Sequence, residues 1–286
     1  MLSQLSLEIR NKQITRIEHE KVSKTDLIVI EEPLEINLSY IQNGKLKYKT
    51  ISITMRTPGD DENLVRGFLF TEGIVKNPIT DIDHFEFRFN CNAEPVEQQT
   101  IIVHLKEHCI PQIENLERHF YTSSSCGVCG KTAIDLSLDN CAFLLRKDYP
   151  VLKSQILYTL VEKLNNAQLI FQKTGSIHGC AIFDTHGNLI LTAEDVGRHN
   201  ALDKLVGKAF THSLVPLQDH LIVLSGRVSF ELVQKAFMIG TPILAAVGAP
   251  SSLAIETAEV FGISLIGFLK HNKANIYSNP NRIAIE

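Results

Sequence analysis

The 286-residue sequence contains no tryptophan, and only six of its residues are cysteine. A cysteine content of about 2% lies far below that of small secreted domains held together by disulfides. No uninterrupted apolar run reaches the length of about 18 residues that a transmembrane helix requires. The first twenty residues carry charges early and lack the apolar core of a secretory signal. These absences predict a cytoplasmic protein with reduced cysteines and no membrane association.

The sequence also lacks an excess of positive charge. Its formal net charge of −4 provides no global basic field for binding nucleic acid. Residues 1–125 carry a net charge of −5, whereas residues 126–286 carry +1. Neither a P-loop nor a G-x-G-x-x-G motif occurs, which disfavours a Walker NTPase and a Rossmann dehydrogenase. With 44% apolar and 21% charged residues, the composition is that of a globular protein of one or two domains.

Residues 1–120 are predicted to form a strand-rich N-terminal domain. Two alternating runs, Asp26–Leu38 and Leu46–Met55, flank Asn43 and Gly44, a dipeptide typical of a tight β-hairpin turn. The acidic residues 60–62 are followed by apolar residues at helical spacing, and this pattern ends near Gly73. It predicts a helix that begins at the acidic residues. Further strands are expected at residues 85–89 and 100–105.

Residues 151–286 are predicted to alternate helices with buried strands, which favours a mostly parallel sheet covered on both faces. The helices are expected at 151–164, 199–210, 229–239 and 251–261, and the strands at 178–183, 189–192, 221–224, 243–247 and 263–268. This order is also that of a cytidine deaminase-like three-layer sandwich. The expected fold class is therefore α/β, or α+β over the whole chain, with the smaller strand-rich domain in front.

Cys126 and Cys129 stand in a window, residues 121–131, that is rich in serine and glycine and supports neither helix nor strand. A flexible cysteine loop and connection is therefore expected at residues 121–150. Two thiols three residues apart can share a metal, exchange a disulfide or pass sulfur between them. Lys131 and the start of a possible helix would lower a thiol pKa there. The four remaining cysteines are scattered and are expected to be passive: Cys91, Cys109, Cys141 and Cys180.

Zinc is the first alternative reason for this pair of cysteines. A closed zinc site commonly takes its four ligands from two pairs, but the sequence has one C-x-x-C and only His178 with Cys180 besides. Zinc deaminases need H-x-E followed by P-C-x-x-C, whereas here the C-x-x-C comes first and position 180 is cysteine. A thioredoxin-type motif would open a helix directly after a strand. We therefore expect a deaminase-like fold without deaminase chemistry, and no bound metal.

Polar residues follow two of the predicted strands, at Glu194–His199 and at Ser225–Arg227. Loops at the ends of such strands tend to line ligand sites, and Arg198 and Arg227 are suited to a phosphate or a carboxylate. The alternative is a helix start with solvated charges. The segment 268–282 is also basic and contains no acid, so it either neutralises phosphates or forms a solvated tail.

Six blocks of sequence, in order between about residues 60 and 283, carry a resemblance to one family. They are NLVRGFLFTEGIV, SSCGVCGK, TGSIHGCAIFD, TAEDVGRHNALDKLVGKA, SGRVSFELVQKA and GFLKHNKANIYSNPNRI. Together they resemble the formate dehydrogenase accessory sulfurtransferase family, of FdhD type. The match covers most of the chain, and the blocks around CGVCG and EDVGRHNALDK are its specific part.

The resemblance implies a cytoplasmic, homodimeric sulfur carrier with a deaminase-like C-terminal domain. Such a protein takes sulfur from a cysteine desulfurase as a cysteine persulfide. It passes the sulfur to the molybdenum of the bis(molybdopterin guanine dinucleotide) cofactor, before that cofactor enters apo-formate dehydrogenase. The persulfide is implied at Cys126, and we hypothesise that Cys129 activates or resolves it. A non-catalytic carrier or chaperone for the cofactor is the alternative.

The resemblance also implies a cofactor-binding stretch in the basic C-terminal segment. Its residues are Phe268, Leu269, Lys270, His271, Asn272 and Lys273. In the family this stretch more often has glycine and arginine where this chain has Asn272 and Lys273. Lysine keeps the positive charge but loses the two-pronged hydrogen bonding of arginine. Phosphate binding is therefore expected in a weaker or altered geometry.

Overall fold

The structure, a computed structural model, describes residues 5–90, 98–113 and 143–285 of a mixed α/β fold. The first part of the chain comprises α1 (Leu5–Glu8), β1 (Ile9–Ile17), β2 (Lys21–Val29), β3 (Glu32–Gln42), β4 (Lys45–Arg56), α2 (Asp61–Thr71), α3 (Pro78–Asp81), β5 (Ile82–Asn90) and β6 (Gln98–Leu105). β1 and β2 form an antiparallel pair. The other four strands form a sheet in the order β4-β3-β6-β5, in which only β3 and β6 are parallel.

The predicted hairpin is confirmed between β3 and β4. Asn43 and Gly44 have φ angles of 53° and 69°, the positive values that a two-residue hairpin turn requires. The prediction of a single strand over Asp26–Leu38 is wrong, because β2 ends at Val29 and β3 begins three residues later. Between them the N–H of Ile30 donates to the backbone of α1, which turns the chain from one sheet to the other.

A helix covers one face of the four-stranded sheet. Alternate residues of β3 point into this core because successive strand side chains face opposite sides. The core residues from β3 and α2 include Leu34, Ile36, Leu38, Leu64 and Leu69, each almost completely buried. The helix predicted after Asp60 is thus confirmed, and it holds the strand-rich part together.

The second part of the chain contains a six-stranded sheet in the order β13-β12-β11-β10-β8-β9. In chain order, the elements of this second part are β7 (Leu152–Lys153), α4 (Ser154–Ala167), α5 (Leu169–Thr174), β8 (His178–Asp184), β9 (Leu189–Asp195), α6 (Arg198–Thr211), β10 (His220–Leu224), α7 (Phe230–Met238), β11 (Ile243–Ala246), α8 (Ser252–Phe261), β12 (Ser264–Lys270), β13 (Lys273–Ile276), a 3-10 helix (Pro280–Arg282) and β14 (Ile283–Ala284).

The expectation of a mostly parallel sheet is wrong. Only the pairs β10–β11 and β11–β12 are parallel, whereas β8 pairs antiparallel with both β9 and β10, and β13 pairs antiparallel with β12. The physical reason is the length of two connections. A parallel pair needs a crossover of a dozen or so residues, but β8–β9 and β12–β13 are joined by short turns and must therefore be antiparallel.

Helices cover both faces of this sheet, as predicted. Leu221 and Val223 of β10 pack in the core that contains α4, whereas Ile222 and Leu224 pack against α6, α7 and α8 on the opposite face. The result is a three-layer arrangement of helices, sheet and helices. Among the described residues, no helix combines the length and apolar character needed to cross a membrane.

The two parts of the chain meet where α2 crosses α6. A Cβ added to Gly67 would lie 1.8 Å from the backbone oxygen of Asp203, and one added to Gly207 would lie 2.0 Å from that of Asn63. Both glycines are therefore needed for the close approach of the two helices. Beside the crossing, the rings of Phe70 and Phe210 meet edge to face at 4.6 Å.

Candidate functional site

The predicted site residues divide between the described and undescribed parts of the chain. Cys126, Cys129 and the surrounding loop lie outside the described residues, and so do Cys91 and Cys141. The two polar turns and the basic segment lie within them. We therefore build the site from the sheet edge that carries these turns.

Five strands bring their loops to one edge of the large sheet. Because β8 runs against β10, its first residue, His178, lies where β9, β10, β11 and β12 end. The N–H of Gly179 donates to Ser225 Oγ, and the N–H of Ser225 donates to the Gly179 carbonyl, both at 2.9 Å. The N–H of Gly248 donates to the Gly226 carbonyl at 3.1 Å. The loops at this edge are thus tied to one another through the backbone.

Two glycines allow the loops to pack this closely. A Cβ on Gly248 would lie 2.7 Å from the Gly226 carbonyl oxygen and 2.8 Å from the backbone nitrogen of Arg227. A Cβ on Gly226 would lie 3.1 Å from Nδ1 of His178, so the imidazole rests against this turn. Sequence reasoning missed the role of Gly248, although a glycine directly after a predicted buried strand is a usable signal.

The acids of the first polar turn hold the fold together. Both oxygens of Glu194 accept backbone N–H groups from the start of α5, at 3.0 and 2.9 Å. Burial raises the pKa of Glu194, although these hydrogen bonds favour its charged form. Asp195 is fully buried, lies 2.7 Å from Lys204 Nζ and accepts the N–H of Thr57 from the first part of the chain. Asp195 is buried and ion-paired, and the half-buried Glu194 is bonded to the backbone, so both carboxylates hold neighbouring segments in place.

The basic residues of the two turns are left without acidic partners. Arg198 begins α6 and is half-buried, and Arg227 is exposed after β10. Among the described residues, neither guanidinium takes part in an ion pair or a hydrogen bond. The Nε atom of Arg198 is shielded from solvent and still has no partner there. The prediction that the two polar turns lie at the same edge of the sheet is confirmed. Within the described part of the chain, the guanidinium groups of Arg198 and Arg227 are available to a ligand.

Two histidines complete this group of charges. Burial lowers the pKa of His178 below its ordinary value, and the neighbouring charges of Arg198 and Arg227 lower it further. His178 is therefore neutral at pH 7. His199 places Nε2 3.1 Å from Ser229 Oγ and 2.8 Å from Glu231 Oε2, and this contact lowers the pKa of Glu231. We call His178, Arg198, His199 and Arg227 the cationic cluster.

The predicted cofactor-binding stretch forms the tip of the β12–β13 hairpin, beside the cationic cluster. Its residues Phe268–Lys273 surround a two-residue turn, since Lys270 and Lys273 are paired across it. The N–H of Phe268 donates to the Gly248 carbonyl at 3.1 Å, which joins the hairpin tip to the loops at the sheet edge. Phe268, with φ of 51°, stands at a bulge, and its ring is 41% exposed.

Not every side chain of the hairpin tip is available to a ligand. Lys270, His271, Asn272 and Lys273 are exposed, but the side chain of Leu269 is completely buried in the core beneath the sheet. Asn272 has φ of 65°, a left-handed conformation that asparagine tolerates better than other residues except glycine. Asparagine at position 272, where the family more often has glycine, therefore preserves the turn. Lys273, where the family more often has arginine, replaces a guanidinium group by an ammonium group.

Two of the scattered cysteines are structural. Cys180 is buried with its Sγ 3.1 Å from the Ala201 carbonyl, and burial raises the pKa of its thiol. Burial also raises the pKa of Cys109 to about 11. Both thiols are therefore protonated and inert, as predicted. Within the described ranges, no group of three or more His, Cys, Asp or Glu side chains is arranged to hold a metal ion.

A separate pocket of about 600 Å³ lies in the first part of the chain. Its polar lining is acidic and includes Glu32, Asp60, Asp61 and Glu62, while Leu7 and Phe87 contribute apolar surface. This lining repels phosphate and does not share residues with the cationic cluster.

Comparison with known proteins gives a consistent result. The model of the FdhD/NarQ family matches residues 29–284. The sulfur carrier protein FdhD of Streptomyces avermitilis is 41% identical over 280 residues, covering 96% of this chain and 95% of its own length. The protein of the same name from Saccharolobus solfataricus is 35% identical, covering 98% of this chain and 100% of its own.

Among solved structures, a protein from Desulfotalea psychrophila described as a formate dehydrogenase accessory protein is similar over 96% of this chain and 98% of its own. The TM-score is 0.67 at 23% sequence identity, so this likeness concerns the fold alone.

Proposed function

The chain belongs to the FdhD/NarQ family, and from that premise we propose that it is a sulfur carrier, a sulfurtransferase that supports formate dehydrogenase. One observation carries the proposal. Relatives named as sulfur carrier proteins match almost the whole chain at up to 41% identity, and this chain retains a C-x-x-C motif at Cys126 and Cys129. A cytoplasmic homodimer is part of the proposal.

The first step loads sulfur onto Cys126. Its thiolate attacks the outer sulfur of the persulfide that a cysteine desulfurase carries. The sulfur–sulfur bond of the donor breaks while the new one forms at Cys126, and the donor cysteine leaves as a thiolate. Nearby Lys131 favours the thiolate form that this attack requires.

The second step delivers the sulfur to the molybdenum of the bis(molybdopterin guanine dinucleotide) cofactor, which is the substrate here. In one version the sulfur–sulfur bond of the Cys126 persulfide breaks, Cys126 leaves as its thiolate, and the outer sulfur passes to the molybdenum, which gives up the two electrons that convert it to a bound sulfide. In the other, Cys129 attacks the inner sulfur of Cys126, which releases sulfide and leaves a Cys126–Cys129 disulfide that a thiol reductant restores. The exposed side chains of the hairpin tip, Phe268, Lys270, His271, Asn272 and Lys273, hold the cofactor.

The fold proposed for residues 151–286 is a cytidine deaminase-like sandwich without the deaminase site. The order of helices and strands and the helices on both faces support this proposal. At the position where H-x-E chemistry needs a glutamate, the chain has the buried Cys180, whose thiol is bonded to the backbone. The sheet edge is then free to serve as a binding surface.

The test is mass spectrometry of the purified protein after incubation with a cysteine desulfurase and cysteine. We expect a gain of about 32 Da, one sulfur atom, on the peptide that contains Cys126. The gain should vanish in Cys126→Ala and persist in Cys109→Ala, a matched control at a buried thiol. A gain that survives Cys126→Ala and is lost in Cys129→Ala would reverse the assignment, and no gain in the wild type would contradict the proposal.

A non-catalytic chaperone for the cofactor is the second candidate, because the cationic cluster suits binding without any cysteine. Formate dehydrogenase activity in cells that carry only the Cys126→Ala variant separates the two. Activity close to the wild-type level supports the chaperone, whereas its loss supports sulfur transfer.

A further inference from the structure

The cationic cluster is arranged against the electrostatics of its own helix. Arg198 and His199 are the first two residues of α6, and the first turn of that helix contains no acid. The amino end of a helix carries a partial positive charge, so the guanidinium group of Arg198 is unfavourably placed there. Arg227 lies just before α7 and adds a second guanidinium group at the same edge.

Buried cations elsewhere in the described residues are partnered. Arg56 forms two hydrogen bonds with Asp61, and Arg282 donates to three backbone carbonyls. Lys204 and Lys235 are each paired with a buried aspartate. Half-buried Arg198 differs from these four cations, because its shielded Nε has no partner among the described residues.

Two contacts join the segments of the chain that carry the two arginines. The imidazole of His178 packs against the backbone of Gly226, so His178 lies beside the turn that carries Arg227. His199, next to Arg198, reaches Ser229 Oγ at 3.1 Å, two residues beyond Arg227. The starts of α6 and α7 are thus joined, and Arg198 and Arg227 both act electrostatically on His178.

The acids within reach are already engaged. Glu231 is bonded to His199 at 2.8 Å, and it feels Arg198 without forming an ion pair with it. Asp195 acts on His178, but its carboxylate is held by Lys204 and by backbone N–H groups. No acid among the described residues pairs with the two guanidinium groups, which leaves them open to an external anion.

We infer that Arg198, Arg227 and His178 form an oxyanion subsite that binds a phosphate or pyrophosphate group and is separate from the hairpin tip. Two guanidinium groups and one imidazole offer more N–H donors than a single bidentate carboxylate uses, which favours the larger set of acceptor oxygens of a phosphate or pyrophosphate group. The claim that the bound phosphate belongs to the nucleotide cofactor rests on the proposed function. The claim that the subsite binds a phosphate group does not depend on the proposed function.

The test measures binding of inorganic pyrophosphate, guanosine diphosphate and guanosine to the full chain by isothermal titration calorimetry. In Arg198→Gln and in Arg227→Gln we expect pyrophosphate affinity to fall about tenfold or more, since each loses charge-assisted hydrogen bonds. Arg16→Gln, at an exposed position of β1, is the matched control and should bind as the wild type does. Arg227 is exposed, so Arg227→Gln is the variant that keeps the test valid if Arg198→Gln folds poorly.

The double variant Lys270→Gln/Lys273→Gln tests whether the two sites are separate. It should leave pyrophosphate affinity unchanged and weaken guanosine diphosphate, whereas the arginine variants should weaken both. Preserved pyrophosphate affinity in Arg227→Gln, no binding by the wild type, or equal losses in the lysine and arginine variants would overturn the inference. Weakened pyrophosphate with unchanged guanosine diphosphate would assign the subsite to free inorganic anions.

The sulfur-loading assay keeps this inference distinct from the proposed function. A wild-type protein that binds pyrophosphate but never gains sulfur would contradict the proposed function and leave the subsite standing.

Discussion

Two groups of charges lie around α6, and the protein treats them in opposite ways. At the junction of the two parts of the chain, Lys235 lies 2.8 Å from Asp203 and 3.0 Å from Glu72, and all three are wholly or mostly buried. At the sheet edge, Arg198 and Arg227 have neither an ion pair nor a hydrogen bond among the described residues. We call Lys235, Asp203, Glu72 and Thr71 the junction cluster.

The difference indicates two uses of charge. A buried ion pair contributes little when complete, but it is costly to break, because the group left behind stays buried without a partner. In the junction cluster, burial opposes the charge on Lys235, but attraction by Asp203 and Glu72 outweighs it and raises the pKa of Lys235. The junction cluster therefore fixes how the two parts pack, whereas the two arginines of the cationic cluster have no acidic partner among the described residues and are open to a ligand.

The largest effect is expected from breaking the junction cluster. Lys235→Met leaves Asp203 buried without its cation and should lower the free energy of unfolding by about 3–5 kcal/mol. Urea denaturation followed by circular dichroism measures this change. Lys173→Met, at an exposed position of α5, is the matched control.

Restoring the balance should recover stability. Lys235→Met combined with Asp203→Leu removes both buried charges and should regain much of the loss. A loss below about 1 kcal/mol in Lys235→Met alone, the size expected of an exposed pair, would show that the junction cluster does not hold the two parts together.

A smaller loss is expected at the helix crossing beside the junction cluster. Gly207→Ala places a Cβ 2.0 Å from the Asn63 carbonyl oxygen, so α2 and α6 must move apart. Overpacking of this kind costs about 1–3 kcal/mol, which the same urea experiment measures. Glu256→Ala, on the exposed side of α8, is the control for alanine in a helix. Unchanged stability in Gly207→Ala would mean that the helices are not in close contact.

Local patterns in the sequence predict local structure well. Asn43-Gly44 predicts its hairpin because a two-residue turn with positive φ angles is decided by the turn residues themselves. The sheet edge is predictable for a similar reason, since the polar stretches Glu194–His199 and Ser225–Arg227 mark where two strands end. The turn residues and the polar residues at strand ends are readable from the sequence because each depends only on residues adjacent in the chain.

Long-range partners are what the sequence does not reveal. Nothing near Asp195 indicates that Lys204 and Thr57 hold it, because Thr57 is 138 residues away. The direction of β8 was missed because helix–strand alternation was given more weight than the short turn after it. The loop containing Cys126 lies outside the described residues, so its role remains a sequence-based prediction.

A change at the cationic cluster should leave stability almost unaltered. Arg227→Gln removes an exposed charge that has no partner, so the free energy of unfolding should change by no more than about 0.5 kcal/mol. Thermal unfolding with and without pyrophosphate measures both the stability of the variant and its stabilisation by the anion. The wild type should be stabilised by pyrophosphate, and Arg227→Gln less so, because only the folded state binds the anion. Substantial destabilisation of Arg227→Gln without ligand would place Arg227 with the structural charges instead.

The smallest effect is expected from His178, whose pKa is lowered below its ordinary value of 6.5 by burial and by Arg198 and Arg227. The unfolded chain then binds this proton more readily, so the contribution of His178 to stability is fully present above pH 6.5 and is lost progressively as the pH falls from 6.5 through the lower pKa of the folded state. Pyrophosphate bound between the arginines should reverse part of the shift, because a nearby anion favours the charged imidazole. NMR titration of the His178 ring should show its pKa rising when pyrophosphate is added to the wild type and moving less in Arg227→Gln. A His178 pKa that pyrophosphate leaves unchanged would mean that the anion binds elsewhere, and that the cationic cluster, like the junction cluster, is structural.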